Sequence, residues 1–343
     1  MTDVVELTQA LCTIPSITGD EAAVCDDMAA RLRKLTPRVT TQNVRGPDGK
    51  AIVGRDNLLA LSGDAPPQIL LTTHLDTVPP FLPPKLEGDQ LVGRGVIDAK
   101  GIAAAMVCAW EKLLAAGETR VGLLFVVGEE TDSDGAKAAA SGFAPQVQFV
   151  VDGEPTDGTL VRAMKGVLAF ELAVQGKAAH SAYPEAGKSA LHQLIGDLAR
   201  LQSEAWPDDA DLGATTLNIG TVNGGVAANV LAPFANAVCV LRTTADADVL
   251  EQRVRSLLSS TTEIKVRTKS SPSHLVTLPG EATKVVAFGS DVPHLAPLGR
   301  SLLFGPGSIL DAHTSHEHVA VADLHKAVDA YVAVSLRLLR GDA

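Results

Sequence analysis

The amino-acid sequence predicts an α/β fold with a mostly parallel mixed sheet flanked by helices, interrupted by a smaller inserted α+β domain. Short apolar runs alternate with helical patterns through the first half of the 343-residue chain, and the order of elements changes near residue 166. The composition, 46% hydrophobic with 3% aromatic and 20% charged residues, is typical of a folded chain with an interior of Ala, Val and Leu.

The first domain opens with two helical patterns, which are separated by Pro15 and Gly19. The patterns lie near residues 3–13 and 20–34, and an Ala-rich helix at 102–116 stops at Gly117. The strand-like runs are 57–60, 68–71, 121–127 and 149–151. Their nearly continuous apolar character predicts a sheet that is buried on both faces.

The second half predicts strand 167–175, helix 188–203, strand 214–222, strand 234–243, helix 247–258 and strand 263–268. This β-α-β-β-α-β order is typical of the split-βαβ, ferredoxin-like arrangement. A buried strand at 301–304 and an amphipathic helix at 320–340 then resume the alternation of strand and helix seen in the first half. We therefore predict one domain from residues 1–163 and 271–343, and an inserted domain at 164–270.

Charge and patterning exclude several classes of function. A net charge of −11 without a basic run argues against a nucleic-acid partner. The acidic amino terminus is unlike a signal peptide, and no apolar run approaches the ~18 residues of a membrane span. The four cysteines show no paired metal spacing, which indicates reduced thiols. We expect a cytoplasmic protein without a membrane partner.

Metal-binding residue types follow the predicted strands of the first domain. Ligands of open α/β sheets gather at the carboxyl ends of the strands. One apolar run ends in His74 and Asp76, which the two-residue strand period places on the same side. We assign Asp76 the role of holding the imidazole of His74, because a carboxylate partner fixes the tautomer of a metal-bound histidine.

Further acids and one histidine arrive at the same predicted edge. Glu129 and Glu130 follow the run at 121–127, and Glu154 follows the run at 149–151. Asp98 lies in a glycine-rich loop, and His313 follows the strand at 301–304. The predicted ligands are two histidines and three carboxylates: His74, His313, Asp98, Glu130 and Glu154. Around two cations, this set leaves positions open for water, as in a catalytic metal site.

Each of these residues also has an ordinary structural interpretation. His74 and Asp76 alone could form a hydrogen bond at a strand end, and Asp98 could cap the following helix. The adjacent Glu129 and Glu130 suit the first turn of a helix, and Glu154 before a proline suits a solvated loop. The coincidence of all of them at successive strand ends favours the metal site.

Several segments together resemble the metallopeptidase family of acetylornithine deacetylase, succinyl-diaminopimelate desuccinylase, aminoacylase and glutamate carboxypeptidase. The segments are 74–79, 93–101, 128–130, 153–155 and 305–307 with His313. The resemblance spans nearly the whole chain. It implies a site with two divalent cations, which we expect to be Zn²⁺, with Co²⁺ or Mn²⁺ as alternatives.

The resemblance divides the ligands between the two cations. His74 and Glu154 would hold one ion, Glu130 and His313 the other, and Asp98 would bridge them. Glu129 would be the general acid/base that takes the proton of the attacking water and passes it to the leaving amine.

The inserted domain resembles the lid and dimerisation domain of the same family. Its motif at 176–184 implies that His180 reaches the site of a partner subunit and stabilises the oxyanion. Asn229 matches a second lid motif, Arg242 the arginine that binds a substrate carboxylate, and Gly305 and Gly307 a substrate-binding loop. A loop histidine, hairpin-turn residues at 223–225 and a surface strand arginine are the ordinary alternatives.

We expect a hydrolase of N-acyl amino acids, similar to an acetylornithine deacetylase of amino-acid biosynthesis, that forms a homodimer through the lid. A dipeptidase or carboxypeptidase of the same family, and a non-catalytic binding protein on this fold, are the alternatives. The chain departs from the family between residues 268 and 288, where only a short segment intervenes. His316 and His318 are expected to lie behind the ligands or at the surface.

Overall fold

A computed structural model describes residues 1–46 and 49–343 of the chain. Its α-helices are α1 (Val4–Thr13), α2 (Ala22–Leu35), α3 (Lys100–Ala115), α4 (Asp134–Ala138), α5 (Ala190–Ser203), α6 (Ala247–Leu257), α7 (Val292–Leu295) and α8 (Val321–Arg340). A π-helical turn, Ala139–Phe143, follows α4, and a 3₁₀ turn, Pro184–Ala186, precedes α5. The six helices predicted from the sequence are observed as α1, α2, α3, α5, α6 and α8, with bounds that differ by a few residues.

The strands are β1 (Arg38–Arg45), β2 (Ala51–Leu61), β3 (Ile69–His74), β4 (Lys85–Glu87), β5 (Gln90–Val92), β6 (Val121–Val126), β7 (Phe149–Asp152), β8 (Leu160–Met164), β9 (Gly166–Gln175), β10 (Asp208–Asp209), β11 (Gly213–Ala214), β12 (Thr216–Gly224), β13 (Phe234–Thr243), β14 (Thr262–Ser270), β15 (Ser273–His274), β16 (Thr283–Val286), β17 (Arg300–Leu303) and β18 (His318–Ala320).

The chain divides into two units, which we describe separately. The first unit consists of Met1–Arg162, Leu275–Lys284 and Ser290–Ala343. The second unit consists of Ala163–His274 and Val285–Gly289.

A six-stranded mixed sheet organises the first unit. Its strand order is β1-β2-β6-β3-β7-β17. The four strands from β6 to β17 are mutually parallel, whereas β1 and β2 are antiparallel to their neighbours. The predicted α/β class with a mostly parallel mixed sheet is therefore confirmed.

Helices cover both faces of this sheet, and its central strands are buried throughout. Every residue of β3 and of β6 is buried. Alternate residues of these strands pack against α1, α2, α3 and α8 on one face, and the others pack against α4 and α7 on the opposite face. The Nε1–H of Trp110 donates to the carbonyl of Val121 over 2.8 Å, which joins α3 to the start of β6.

The second unit contains a four-stranded antiparallel sheet in the order β12-β13-β9-β14. Buried apolar side chains alternate with partly buried ones along β9 and β13, and α5 and α6 cover the buried apolar face. The element order β-α-β-β-α-β, predicted from the sequence, is observed. A two-strand ladder of β10 and β11, absent from the prediction, precedes β12 and displaces its start.

The sequence did not predict several strands that lack a continuous apolar pattern. β1 is an edge strand with mostly exposed polar side chains, so it lacks the alternation that marks a half-buried strand. β4, β5 and β18 form a small antiparallel sheet of three-residue strands, which are too short to show a period.

No helix among the described residues is both long enough and apolar enough to cross a membrane.

Candidate metal centre

Three parallel strands of the first unit end at one edge of the sheet, and each leads into candidate ligands. His74 is the last residue of β3, and Glu154 follows the end of β7. Glu129 and Glu130 follow β6. The predicted gathering of these side chains at strand ends is thus observed, because parallel strands bring their carboxyl ends together.

Asp98 lies between the two predicted histidine ligands. Its Oδ1 is 3.0 Å from Nε2 of His74, and its Oδ2 is 3.2 Å from Nε2 of His313. The same nitrogen of His313 is 3.0 Å from Oε2 of Glu130. One carboxylate that presents each oxygen to a different imidazole has the arrangement required of a ligand shared by two cations.

Two groups of side chains in this cluster have the spacing of a metal site. His74, Glu129 and Glu154 form one group, and His74, Asp98 and Glu130 form the other, each with its ligand atoms within 4.8 Å of one another. Glu129, predicted as general acid/base, therefore stands among potential ligand atoms as well.

Asp76 is buried and contacts both His74 and the turn that follows β6. Nδ1 of His74 lies 3.0 Å from the carbonyl oxygen of Asp76 and 3.4 Å from its Oδ1, which leaves Nε2 facing Asp98. The carboxylate of Asp76 also accepts hydrogen bonds from the backbone N–H groups of Glu129 and Glu130, each over 3.2 Å. The Oγ1 of Thr18 donates to it over 2.8 Å. Asp76 thus connects two ligand-bearing strand ends, a role the sequence did not reveal.

The electrostatics of the cluster are those of acids crowded in a buried place. Burial raises the pKa of the carboxyls of Glu129, Glu130 and Glu154, and neighbouring carboxylates raise it further. Burial would also raise the pKa of Asp98, but hydrogen bonds from His313 and His74 outweigh it and hold that pKa below its usual value.

The histidines respond in the opposite sense. Hydrogen bonds with Asp98 and Glu130 raise the pKa of His313 to about 10. Burial lowers the pKa of His74, yet its hydrogen bonds with Asp76 and Asp98 raise it well above the ordinary value. These directions show a cluster of carboxylates that favours positive charge beside it. Because imidazole and carboxylate donors suit zinc, cobalt and manganese, the residues present fit a pair of such ions.

The segment that carries His313 has special backbone requirements. His313 itself has a φ of 62°, in the left-handed region that side chains other than glycine rarely adopt. A Cβ on Gly305 would stand 2.4 Å from the carbonyl oxygen of Glu154, and one on Gly307 would stand 2.3 Å from Cγ1 of Ile97. These two glycines, predicted to bind substrate, have a packing reason to be glycine.

The candidate residues of the second unit lie in loops and on a strand. His180 and Asn229 are exposed, and their loops are adjacent, since the N–H of Ser181 donates to the carbonyl of Asn229 over 2.9 Å. Arg242 lies on β13 and is partly buried, which lowers the pKa of its guanidinium. Among the residues that the structure describes, this guanidinium has no hydrogen-bond or ion-pair partner.

The sequence did not indicate that three further acids near the centre, Glu317, Asp152 and Asp291, are buried. Glu317 is fully buried and contacts the loop that carries Asp98. Asp152 and Asp291 are buried with one carboxylate oxygen each lacking a hydrogen-bond partner among the described residues, and burial raises their pKa to about 6 and about 8. Only the apolar strand before Asp152 hinted at its burial. His316 is exposed and His318 partly buried.

Comparison with known proteins gives a consistent family. The model of peptidase family M20/M25/M40 matches residues 70–337. A peptidase M20 domain-containing protein of Schizosaccharomyces pombe is 36% identical over 345 residues, covering 98% of this chain and 85% of the relative. A probable carboxypeptidase of Aspergillus flavus is 36% identical over 359 residues, covering 93% of this chain and 83% of the relative.

Solved structures share the fold at lower identity. A tripeptidase of Staphylococcus aureus superposes with a TM-score of 0.81 at 20% identity, covering 97% of this chain and 96% of that chain. A dinuclear metal-binding peptidase of Bacillus subtilis has a TM-score of 0.71 at 14% identity, covering 98% of each. These findings confirm the resemblance found in the sequence. The chain belongs to peptidase family M20/M25/M40 and is a metal-dependent hydrolase of peptide or amide bonds.

Proposed function

We propose that this protein is a two-metal hydrolase that cuts the amide bond beside a free carboxylate in a short peptide, in the manner of a carboxypeptidase. The observation that carries the proposal is the centre around Asp98, whose two oxygens face His74 and His313. Relatives named probable carboxypeptidases support a peptide substrate. The sequence itself favours an N-acyl-amino-acid deacylase, which cuts the same kind of bond and releases a similar product.

In this proposal His74 and Glu154 hold one cation, Glu130 and His313 hold the other, and Asp98 serves both. When bound, such a pair of cations lowers the pKa of a water molecule and polarises the scissile carbonyl. Asp76 keeps His74 oriented through Nδ1 and holds the N–H groups of the turn that follows β6. The ligands are thereby fixed before substrate arrives.

Glu129 is the proposed proton carrier. Its carboxyl is partly buried, and burial raises its pKa well above the usual value, the direction expected of a carboxyl that must accept and release a proton. It takes a proton from the attacking water and delivers it to the nitrogen of the leaving amine. The carbonyl carbon gains the oxygen of water as its bond to nitrogen breaks, so that one carboxylic acid and one amine are formed.

The second unit is proposed to supply substrate recognition. The guanidinium of Arg242 is partly buried and has no partner among the described residues, so it is available to bind a carboxylate. His180, exposed in its loop, is the candidate to stabilise the oxyanion of a partner subunit's site. A homodimer through this unit is part of the proposal, and full activity in a strict monomer would remove His180 from that role.

A non-catalytic binding protein is the alternative from another class. The retention of Glu129 beside a full set of candidate ligands favours the enzyme, since a scaffold has no use for a proton carrier. Metal analysis separates the two, because the enzyme should hold about two divalent ions per chain. A protein without ions after reconstitution with zinc, cobalt or manganese would favour the scaffold.

A substrate panel tests the proposed reaction. Purified protein with added metal should hydrolyse dipeptides and tripeptides, and the same peptides with an amidated carboxyl terminus should be poor substrates. N-acetyl and N-succinyl amino acids belong in the same panel. Turnover of N-acyl amino acids without turnover of peptides would replace the carboxypeptidase by the deacylase, and equal turnover of amidated peptides would contradict carboxylate recognition.

A further inference from the structure

Glu317 is a buried acid that contacts the candidate metal centre through the backbone of the loop that carries Asp98. It lies four positions after His313, in the segment that supplies imidazole to the centre. Its side chain is 0% exposed. A carboxylate so deeply buried is costly unless its oxygens are fully paired, so its partners show what it holds in place.

All of the partners of this carboxylate belong to the loop that ends at Asp98. Its Oε1 accepts from the backbone N–H groups of Gly95 over 2.8 Å, Ile97 over 3.2 Å and Asp98 over 3.4 Å. Its Oε2 forms an ion pair with Nη1 of Arg94, which is also buried. One side chain therefore contacts four of the five residues of the segment 94–98, which ends in the proposed shared ligand.

The backbone of Glu317 takes part in the same connection. Its carbonyl accepts from the N–H of Gly93 over 2.9 Å, and the next residues form β18, which pairs with β5 immediately before this loop. Two segments more than 200 residues apart in sequence are thereby held together. One carries Asp98 and the other carries His313, and these two side chains meet at 3.2 Å.

We propose that Glu317 is a positioning residue that sets the backbone of residues 94–98 so that the carboxylate of Asp98 can serve two cations at once. The proposal rests on the proposed metal site. It adds a specific claim, that the spacing of the two cation positions depends on a side chain that touches neither. Residues behind the ligands commonly change metal affinity by about 10- to 100-fold when they are replaced.

The competing explanation is that Glu317 is only a counterion for buried Arg94. In that case any carboxylate that reaches Arg94 would suffice, and its loss would reduce stability without a specific effect on the ions. Glu317→Asp separates the two explanations. The shorter side chain keeps the charge for Arg94 but cannot reach the guanidinium and three N–H groups together.

The test measures metal affinity by competition with a chelator and the visible absorption spectrum of the Co²⁺-loaded protein. Glu317→Gln and Glu317→Asp should both weaken the binding of at least one ion by about 10- to 100-fold and alter the Co²⁺ spectrum. Glu317→Asp should recover most of the melting temperature that Glu317→Gln loses.

Asp197→Asn is the matched control. Asp197 in the second unit is also 0% exposed, pairs with Arg200 and accepts from the N–H of Ser259 over 3.0 Å. This variant should lose stability with unchanged metal affinity and spectrum.

Native affinity in Glu317→Gln, or native affinity in Glu317→Asp together with restored stability, would overturn the proposal. If Glu317→Gln does not fold, Glu317→Asp decides alone. The unaltered protein is measured first, because fewer than two ions there, or two ions without hydrolysis, contradicts the proposed function independently of Glu317.

Discussion

The candidate functional residues of the two units differ in burial and in contacts, although His313 of the first unit is half exposed. In the first unit, His74, Asp76 and Asp98 are buried and in contact, and each side chain is held by at least two others. In the second unit, His180 and Asn229 are exposed in loops, and the guanidinium of Arg242 has no partner among the described residues.

The difference indicates a division of work within the chain. Groups that must be fixed within a fraction of an ångström are held by a rigid sheet edge, because displaced ligands lose both metal and reaction geometry. Under the proposed function, the exposed groups of the second unit would gain their partners only when a substrate binds. The four predictions below follow this comparison, beginning with the largest effect.

Glu129→Gln tests whether the first unit holds a proton carrier distinct from its ligands. The amide cannot accept the proton of water, so kcat should fall by about 10²- to 10⁴-fold while two ions remain bound. Metal content and turnover of the same preparation provide the measurement. Glu130→Gln is the control, since it should reduce metal affinity. Loss of an ion from Glu129→Gln would instead make Glu129 a ligand.

Chelation tests whether the metals stabilise one unit or both. Removing ions that are present at about 1,000 times their Kd should cost about 4 kcal/mol of folding free energy for each ion. Hydrogen exchange should show the loss at β3, β6 and β7 of the first unit, where the candidate ligands lie. An equal loss of protection in the sheet of the second unit would contradict the separation.

Arg242→Met tests recognition in the second unit. Losing hydrogen bonds to a charged group costs about 1.5–3 kcal/mol, so kcat/KM should fall by about 10- to 100-fold for substrates with a free carboxylate. Amidated substrates should be unaffected. Arg267→Met on β14 is the control, because Arg267 is exposed and pairs with Glu171. Equal losses for both substrate classes would assign Arg242 a purely structural role.

A pair of helix caps gives the smallest effect. Asp3 accepts from the N–H groups of Val5 and Glu6 at the start of α1, and Asp246 does the same at the start of α6. Replacing either by alanine should cost about 1 kcal/mol. Asp3→Ala should destabilise the first unit and Asp246→Ala the second, as measured by hydrogen exchange, with metal affinity unchanged in both.

The sequence predicted what depends on local pattern. Apolar runs located β3, β6 and β7, and the acids and imidazole at their ends could be read directly. It did not predict β1, whose exposed polar side chains carry no period, or the second function of Asp76, which depends on how a distant turn folds back. Glu317 lies in a polar run that looks exposed, and only the tertiary fold brings Arg94 to it.

Gly305 and Gly307 limit how this enzyme could be altered by design. A side chain at Gly305 would press on the backbone of Glu154, a proposed metal ligand, and one at Gly307 would press on Ile97, so a substitution at either position would first disturb this packing. Libraries that seek a new substrate preference are better directed to the exposed loops around His180 and Asn229. The loops that carry the proposed metal ligands would then stay unchanged, and only the exposed loops would be varied.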